Sequence, residues 1–392
     1  AAGVAESGPP GGDPGKSLAP EALAAFLQRF YLHAAPEDLV DRDPVDIYGA
    51  AMSHYRLAAR RPQGTAAVRV HTPTVEENGW TCSHTVVEII TDDMPFLVDS
   101  VTNELSRQGR AIHAVIHPQL VVRRDVTGAL LGVLDQDSPV DADGGADLPA
   151  DAVVESWMHV EIDRETDRGD LKEIAANLRR VLNDVREAVE DWGKMRDAAL
   201  RIANELASDP PVGISRREID EAEELLCWLA DDHFTFIGYR EYDLLTKEGP
   251  DGKPEDVLSA IPGTGLGILR SDPQHHGDTA HPDSPSFHRM TAQAKAKARE
   301  PELLILTKAN SRSTVHRPSY LDYIGVKKFD EAGNVIGERR FLGLFSSAAY
   351  TESVRRVPVA RRKVAEVMER AGFAPNSHDG RDLLQILETY PR

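Results

Sequence analysis

Residues Leu171 to Glu205 predict a long amphipathic helix: Ile174, Leu178, Val181, Leu182, Val185, Val189 and Trp192 recur at three- and four-residue spacing and make one buried stripe. A stripe of that length needs a broad apolar partner surface. It stops before ASDPPVGISRRE (207–218), where tandem prolines and a glycine interrupt helical character until Ser215 can cap a new helix. This segment is the predicted domain boundary.

The partner surface is legible upstream. AAVRVHT (66–72), HTVVEII (84–90) and VVESWMHVEID (153–163) are strand-like, rich in β-branched residues. AIHAVIHPQLVVRRD (111–125) reads as one long extended segment, and DVTGALLGVLD turns at Thr127 and Gly128 into another strand. A helix is expected from about 95 to 108, with Asp93 as cap, Pro95 in its first turn, Leu97, Val101 and Leu105 on its stripe and Gly109 at its end. Strands mixed with two helices on one face describe an α+β sandwich over 64–207. Residues 17–63 form a two-helix leader, with Leu23, Phe26, Leu27 and Phe30, then Ile47, Tyr48, Met52, Tyr55 and Leu57, at helical spacing. Residues 1–16 hold Gly, Pro and small polar residues with little to bury and are expected to be disordered.

Beyond the boundary, a helix over 216–231 precedes HFTFIGYREYDL (233–244), GLGILR (265–270), LLILTKA (303–309), LDYIGVKKFD (321–330) and NVIGERRFLGLFSS (334–347), all strand-like, with EAGN (331–334) as a hairpin turn. A mostly antiparallel sheet entered from a helix suggests a PAS-like or GAF-like domain over 208–350. Residues 351–392 return to helix, with Val364, Val367, Met368, Leu383, Leu384 and Leu387 as apolar positions. The start at Ala and the stop directly after an apolar periodic segment are read as a fragment of something longer.

Composition narrows the function. With 64 acidic against 45 basic side chains the net charge is −19, which repels phosphate backbones, so no nucleic-acid partner is expected. No apolar run is long enough to span a bilayer, so no membrane partner is expected either. Cys82 and Cys227 are the only cysteines and form no CxxC pair, which fits a reducing cytoplasm and speaks against a disulfide framework or a thiolate zinc site.

The motifs that could carry chemistry are weak. PGTGLG (262–267) continues as a strand, whereas a dinucleotide fingerprint needs a helix start to hold pyrophosphate. His275, His276, His281 and His288, with Asp272, Asp278 and Asp283, read as a solvated loop, and His113 and His117 as structural histidines on a strand. Ser313, His316 and Asp322 lack a nucleophile elbow. The basic pairs Arg123/Arg124, Lys327/Lys328, Arg339/Arg340 and Arg355/Arg356 read as solvated faces or subunit contacts. No catalytic, cofactor-binding or metal residue is assigned. The one candidate binding feature is the joint ITDDMPFLVDSVTNEL (90–105), a strand that ends in acids and feeds a helix start, whose free N–H groups suit a small acid. Its residues Asp92, Asp93, Met94, Phe96 and Asp99 make a possible ligand-sensing turn, with capping by Asp92 and Asp93 as the structural alternative.

DDMPFLVDSVTNELSRQGRAIHAVIHP (92–118), ESWMHVEID (155–163), DDHFTFIGYREYDL (231–244), KANSRSTVHRPSYLDYIGVKKFD (308–330) and GERRFLGLFSSAAY (337–350) resemble the N-terminal part of the large bacterial NAD-specific glutamate dehydrogenases, from about residue 18 to the end. The resemblance implies a helical leader, an ACT-like (ferredoxin-like) sandwich, a PAS-like or GAF-like sheet domain and helices leading onward. It implies a non-catalytic regulatory and oligomer-assembly segment, with NAD bound elsewhere in the parent. The implied partners are the catalytic domain, other subunits of a homo-oligomer and an amino-acid effector. Where ligand-binding ACT domains carry glycine in the turn after the first strand, this chain has Pro95 and Phe96. Phe96 is therefore expected to fill core, and amino-acid binding there is the alternative reading; a pure interaction scaffold is the weaker one.

Overall fold

The computed structural model describes residues 19–134, 149, 151–248, 254–270, 298–374 and 377–389; the expected disordered start and the histidine loop at 275–288 lie outside them. The chain divides into two compact units, 1–183 and 184–392. The division falls inside the long helix, ahead of the proline-rich segment that breaks it.

The first unit is built on one antiparallel sheet. Its strands are β1 (Ala67–His71), β2 (Thr85–Asp92), β3 (Ile112–Ile116), β4 (Gln119–Arg124), β5 (Leu130–Val133) and β6 (Ala152–Ile162), in the order β1-β2-β6-β4-β5 with β3 also on β6. The predicted single strand over 111–125 is in fact two, both paired to β6. Pro118 has no N–H to give the ladder, and the chain breaks there, its carbonyl accepting from Trp157 N at 3.0 Å.

Alternation along β6 puts Glu155, Trp157, His159 and Glu161 on one face and Ser156, Met158, Val160 and Ile162 on the other. The leader helices α1 (Pro20–Phe30) and α2 (Pro44–Leu57) cover the first of these. Phe26, Phe30, Ala51 and Ala58 pack with Ile90, Ile116, Leu120, Val122 and Trp157 in one core. Asp43 caps α2, its Oδ1 accepting from Val45 N at 2.8 Å, and Pro44 sits where a missing N–H costs nothing. A short α3 (Val75–Asn78) precedes β2. Two more helices carry complementary apolar stripes: α4 (Leu97–Arg107) buries Leu97, Val101 and Leu105, and the start of α5 (Arg168–Ser208) buries Ile174, Leu178 and Val181. The helical coverage therefore includes the leader.

In the second unit, α6 (Arg216–Trp228) is capped by Ser215, as its sequence predicts. The sheet runs β10 (Leu304–Arg312), β11 (Tyr320–Phe329), β12 (Val335–Phe345), β7 (Phe234–Glu248) and β8 (Pro254–Ala260), with β9 (Leu266–Gly267) on β7. The EAGN hairpin stands: Gly333 has φ 83°, and the Asp330 carboxylate accepts from Ala332 N and Asn334 N at 3.0 and 2.8 Å. The later part of α5 and α6 share an apolar core with Phe236, Tyr239, Ile324, Val326 and Phe341. Helices α7 (Ser347–Thr351), α8 (Ala360–Ala371) and α9 (His378–Thr389) follow.

Candidate functional site

At the joint, β2 runs out at Asp92 and its acids turn away from the helix they were expected to cap. Asp92 Oδ1 accepts from Arg61 Nη2 at 2.7 Å, and Oδ2 from Gly64 N at 3.0 Å. Asp93 N donates to Val154 O at 3.0 Å, while its carboxylate takes bonds from the Ser156 hydroxyl and from Gln119 Nε2 at 3.0 Å. Helix α4 therefore starts at Leu97, two residues later than predicted, and its N-cap is Phe96 with no side-chain cap. Phe96 holds φ 71°, ψ 1°, a left-handed conformation that costs an ordinary residue about 1–2 kcal/mol and a glycine almost nothing. It is half-buried and not among the buried core residues, which corrects the expectation that it fills core. Its carbonyl accepts from Ser100 N at 3.0 Å and from Ser100 Oγ at 2.6 Å. Met94 is half-buried and Asp99 is exposed in the first turn of α4, where its charge suits the helix dipole. Of the five residues, two are spent on strands and leader and three lie around the helix start.

Asp92 belongs to a larger buried network. Glu155 is fully buried and takes two arginines: Arg61 through Nε at 3.0 Å and Arg124 through Nη2 at 2.8 Å, with Trp157 Nε1 adding a third donor at 3.0 Å. The remaining guanidinium N–H groups reach carbonyls, Arg61 to Thr65 O at 2.9 Å and Arg124 to Ala58 O and Gly128 O at 2.8 and 2.9 Å. Two cations face two carboxylates, so the charge closes. A Cβ on Gly128, which has φ 84°, would lie 2.5 Å from Arg61 O, so the turn needs glycine both for conformation and for approach.

The far end of the same face carries acids and histidines. Glu88 on β2 is buried against Arg69 Nε and lies 3.4 Å from His54 Nδ1. Burial alone would raise the Glu88 carboxyl, but the surrounding His54, His71 and Arg69 outweigh it and hold it well below its usual range. Both ring nitrogens of His54 face acceptors, Nδ1 to Ala50 O at 3.2 Å and Nε2 to Met158 O at 3.0 Å. Only an imidazolium could donate to both; burial opposes that charge and pushes the ring down to about 4. Glu161 accepts from Arg42 on both oxygens, from His159 Nε2 at 3.2 Å and from His84 Nδ1 at 3.1 Å. It too is held low, because His159 and Arg42 outweigh the burial that would raise it. Cys82 stands beside them, its thiol pushed up by burial, and accepts from His84 N at 3.4 Å. Cys82, His84 and Glu161 place their ligand atoms within 4.8 Å of one another. Sequence reasoning missed this group: Cys82 and His84 are near neighbours, but only the register Val86↔Glu161 brings the carboxylate alongside. His113 stacks on His84 at 4.1 Å and meets Asp163 Oδ1 at 2.8 Å, and His117 Nε2 lies 2.9 Å from Ser156 Oγ, so both are hydrogen-bonded histidines as expected.

A family model described as the glutamate dehydrogenase ACT1 domain matches residues 26–178, and one described as glutamate dehydrogenase helical motif 1 matches 357–392. NAD-specific glutamate dehydrogenase of Halomonas elongata is 38% identical over 367 residues, which is 94% of this chain and 22% of that protein. The chain is a segment of the NAD-specific glutamate dehydrogenase family. The Pseudomonas aeruginosa relative of the same name is 37% identical over 372 residues, again 94% of the chain and 22% of the relative. That of Mycobacterium tuberculosis is 29% identical over 351 residues, 89% of the chain and 19% of the relative. The chain thus spans about a fifth of the length of the curated glutamate dehydrogenases it matches. The ACT1 match begins inside α1, so in this glutamate dehydrogenase segment the leader is matched together with the sheet it covers.

The weak motifs of the second unit resolve structurally. PGTGLG leads into β9 and a turn, and two of its three glycines are needed for close packing: a Cβ on Gly265 would meet Leu269 O, and one on Gly267 would meet Ile237 O, each at 2.1 Å. The Ser313 hydroxyl donates to Val315 O at 2.7 Å, and Asp322 pairs with Lys308 at 2.7 Å, so these two are engaged apart from any triad. Arg355 and Arg356 are both exposed, as expected, but the three basic pairs on strands are not simply solvated. Arg124 is buried on Glu155, Lys327 is buried and donates to Glu300 O at 2.7 Å, and Arg340 lies between the rings of Tyr242 and Tyr323, at 4.1 and 4.8 Å. In each case the twofold strand repeat turns one member of the pair inward.

Proposed function

We propose that this chain is the non-catalytic regulatory and oligomer-assembly segment of a cytoplasmic NAD-specific glutamate dehydrogenase, whose whole reaction converts L-glutamate, NAD and water to 2-oxoglutarate, ammonium and NADH. The ACT1 match over the first sheet and its leader carries the reading, because ACT-type domains serve regulation. The second unit fits a PAS-like or GAF-like module, on the strength of its antiparallel order β10-β11-β12-β7-β8 and the helix that enters it. NAD, the catalytic residues and the contacts of a homo-oligomer belong to the whole enzyme in this reading. Purified chain given glutamate and NAD is expected to form no NADH by absorbance; turnover that disappears with a point substitution in this chain overturns the proposal.

A second reading, amino-acid sensing at residues 92–99, is favoured by the α4 start, which has no side-chain cap. A thermal-shift screen over the proteinogenic amino acids decides it, since a ligand at 100 times its Kd adds about 2.7 kcal/mol of stability. No shift with any of them removes sensing by this segment and leaves assembly, which light scattering on the isolated chain measures.

A further inference from the structure

We propose that Cys82, His84 and Glu161 form a site for a borderline divalent cation of the zinc type, bound through Sγ, Nδ1 and Oε2. The donor set is one thiolate, one imidazole and one carboxylate, a combination suited to zinc and foreign to calcium or magnesium. Tetrahedral bonds of about 2.0 Å to nitrogen and oxygen and 2.3 Å to sulfur place the donors about 3.3–3.5 Å apart. His84 Nδ1 and Glu161 Oε2 already stand 3.1 Å apart. All three ligand atoms lie within 4.8 Å, so the sulfur needs to close in by no more than about 1.3 Å.

The surroundings orient these donors. His159 is buried and its Nδ1 has no hydrogen-bond partner among the described residues, so the ring is read as the tautomer that donates from Nε2 to Glu161 Oε1, leaving Oε2 for the metal. His113 stacks on His84 and is itself held by Asp163, which fixes the plane of the liganding ring. His84 N donates to Cys82 Sγ, a bond that favours the thiolate. Three protein ligands leave a fourth position for water.

Arg42 is the competitor. Its guanidinium spans both Glu161 oxygens, and its side chain is 31% exposed, so the head group can move to solvent. Binding exchanges cations: the metal bonds to the three donors, the proton that His84 Nδ1 shares with Glu161 moves by way of water to Nε2, the Cys82 thiol proton goes to water, and Arg42 leaves Oε2. The liganded group of metal, thiolate, carboxylate and neutral imidazole is then uncharged, and the arginine charge is solvated outside it. A plain Arg42–Glu161 ion pair predicts no such exchange.

Cobalt(II) titration of the whole 392-residue chain under reducing conditions separates the two readings. The site predicts one equivalent of cobalt with a thiolate-to-cobalt charge-transfer band, removed by added zinc. The band should vanish in Cys82→Ser, persist in Cys227→Ser, and need at least tenfold more cobalt in His84→Ala. Arg42→Gln should bind cobalt more tightly than the parent, with circular dichroism unchanged, and this arm stands even if Cys82→Ser fails to fold. Any binding by histidines elsewhere gives no sulfur band. Absence of the band, its survival in Cys82→Ser, its loss with Cys227→Ser, or weaker cobalt binding by Arg42→Gln would each overturn the proposal.

Discussion

The two sheets of this chain differ in how much charge they bury beside their apolar cores. Under the leader, the first sheet presents Glu88, Glu155, His159 and Glu161, all essentially inaccessible, and meets them with Arg42, His54, Arg61 and Arg124. Against α5 and α6, the second sheet presents Phe236, Ile324, Val326 and Phe341 to Ile202, Leu225 and Leu226. An apolar face loses stability in proportion to the atoms removed. A face of buried ions fails abruptly, because each unpaired charge costs several kcal/mol. The leader, which supplies Arg42, His54 and Arg61, is thus the counter-charge of the first sheet as well as its cover.

The sharpest way to break this comparison is a pair of near-isosteric substitutions. Glu155→Gln removes one charge and leaves Arg61 and Arg124 facing Asp92 alone, so the first unit should lose about 3–5 kcal/mol. Ile324→Val removes one methylene from the second core and should cost about 0.5–1.5 kcal/mol. Native-state hydrogen exchange, read separately over β2/β6 and β7/β12, measures both. Equal losses would mean that the Glu155 network contributes no more than ordinary packing.

Acid should also divide the units. Burial holds the His54 ring at about 4 in the folded state, against about 6.5 in an unfolded chain. As pH falls, the unfolded state binds this proton first, so stability is full above about 6.5 and drains away down to about 4, on the order of 3 kcal/mol. Glu88 and Glu161 are depressed carboxylates, and their contribution is present above about 4.3 and lost below it. His117, also lowered by burial, acts in the same sense as His54. His54→Met should therefore flatten most of the slope between pH 6.5 and 4 in urea unfolding of the first unit. If the parent instead holds its stability down to pH 5, the ring is an imidazolium paired with Glu88.

Most strands were legible because apolar alternation marks them, as in HTVVEII and VVESWMHVEID. What each strand faces was not. Glu88, Glu155 and Glu161 look like solvent positions on a pattern reading, and they are buried because partners from the leader, His54, Arg61 and Arg42, reach them from distant points of the sequence, 94 and 119 residues away for Glu155 and Glu161. The basic pairs on strands misled for the same reason, since one side chain of Arg123/Arg124 points to Glu155. Strand β8 was missed because KPEDVLSA opens with Pro and acids, and only its pairing from Tyr242↔Ala260 to Glu248↔Pro254 makes it a strand. The Cys82, His84 and Glu161 group needs the β2/β6 register, which no local motif reports.

The smallest effect expected is at the joint, and it separates the two ways a residue can matter there. Phe96 holds a left-handed backbone that glycine would adopt without strain, yet its half-buried ring gives back part of that cost through contact. Phe96→Gly trades one against the other and should leave the stability of the first unit within about 1 kcal/mol of the parent. Val101→Ala, on the buried stripe of α4, removes only packing and should cost more, about 2 kcal/mol. If Phe96→Gly proves the costlier of the two in denaturant titration, the ring is a core element after all. In that case the glycine-free turn is a packing solution, and the backbone at the helix start stores no net strain.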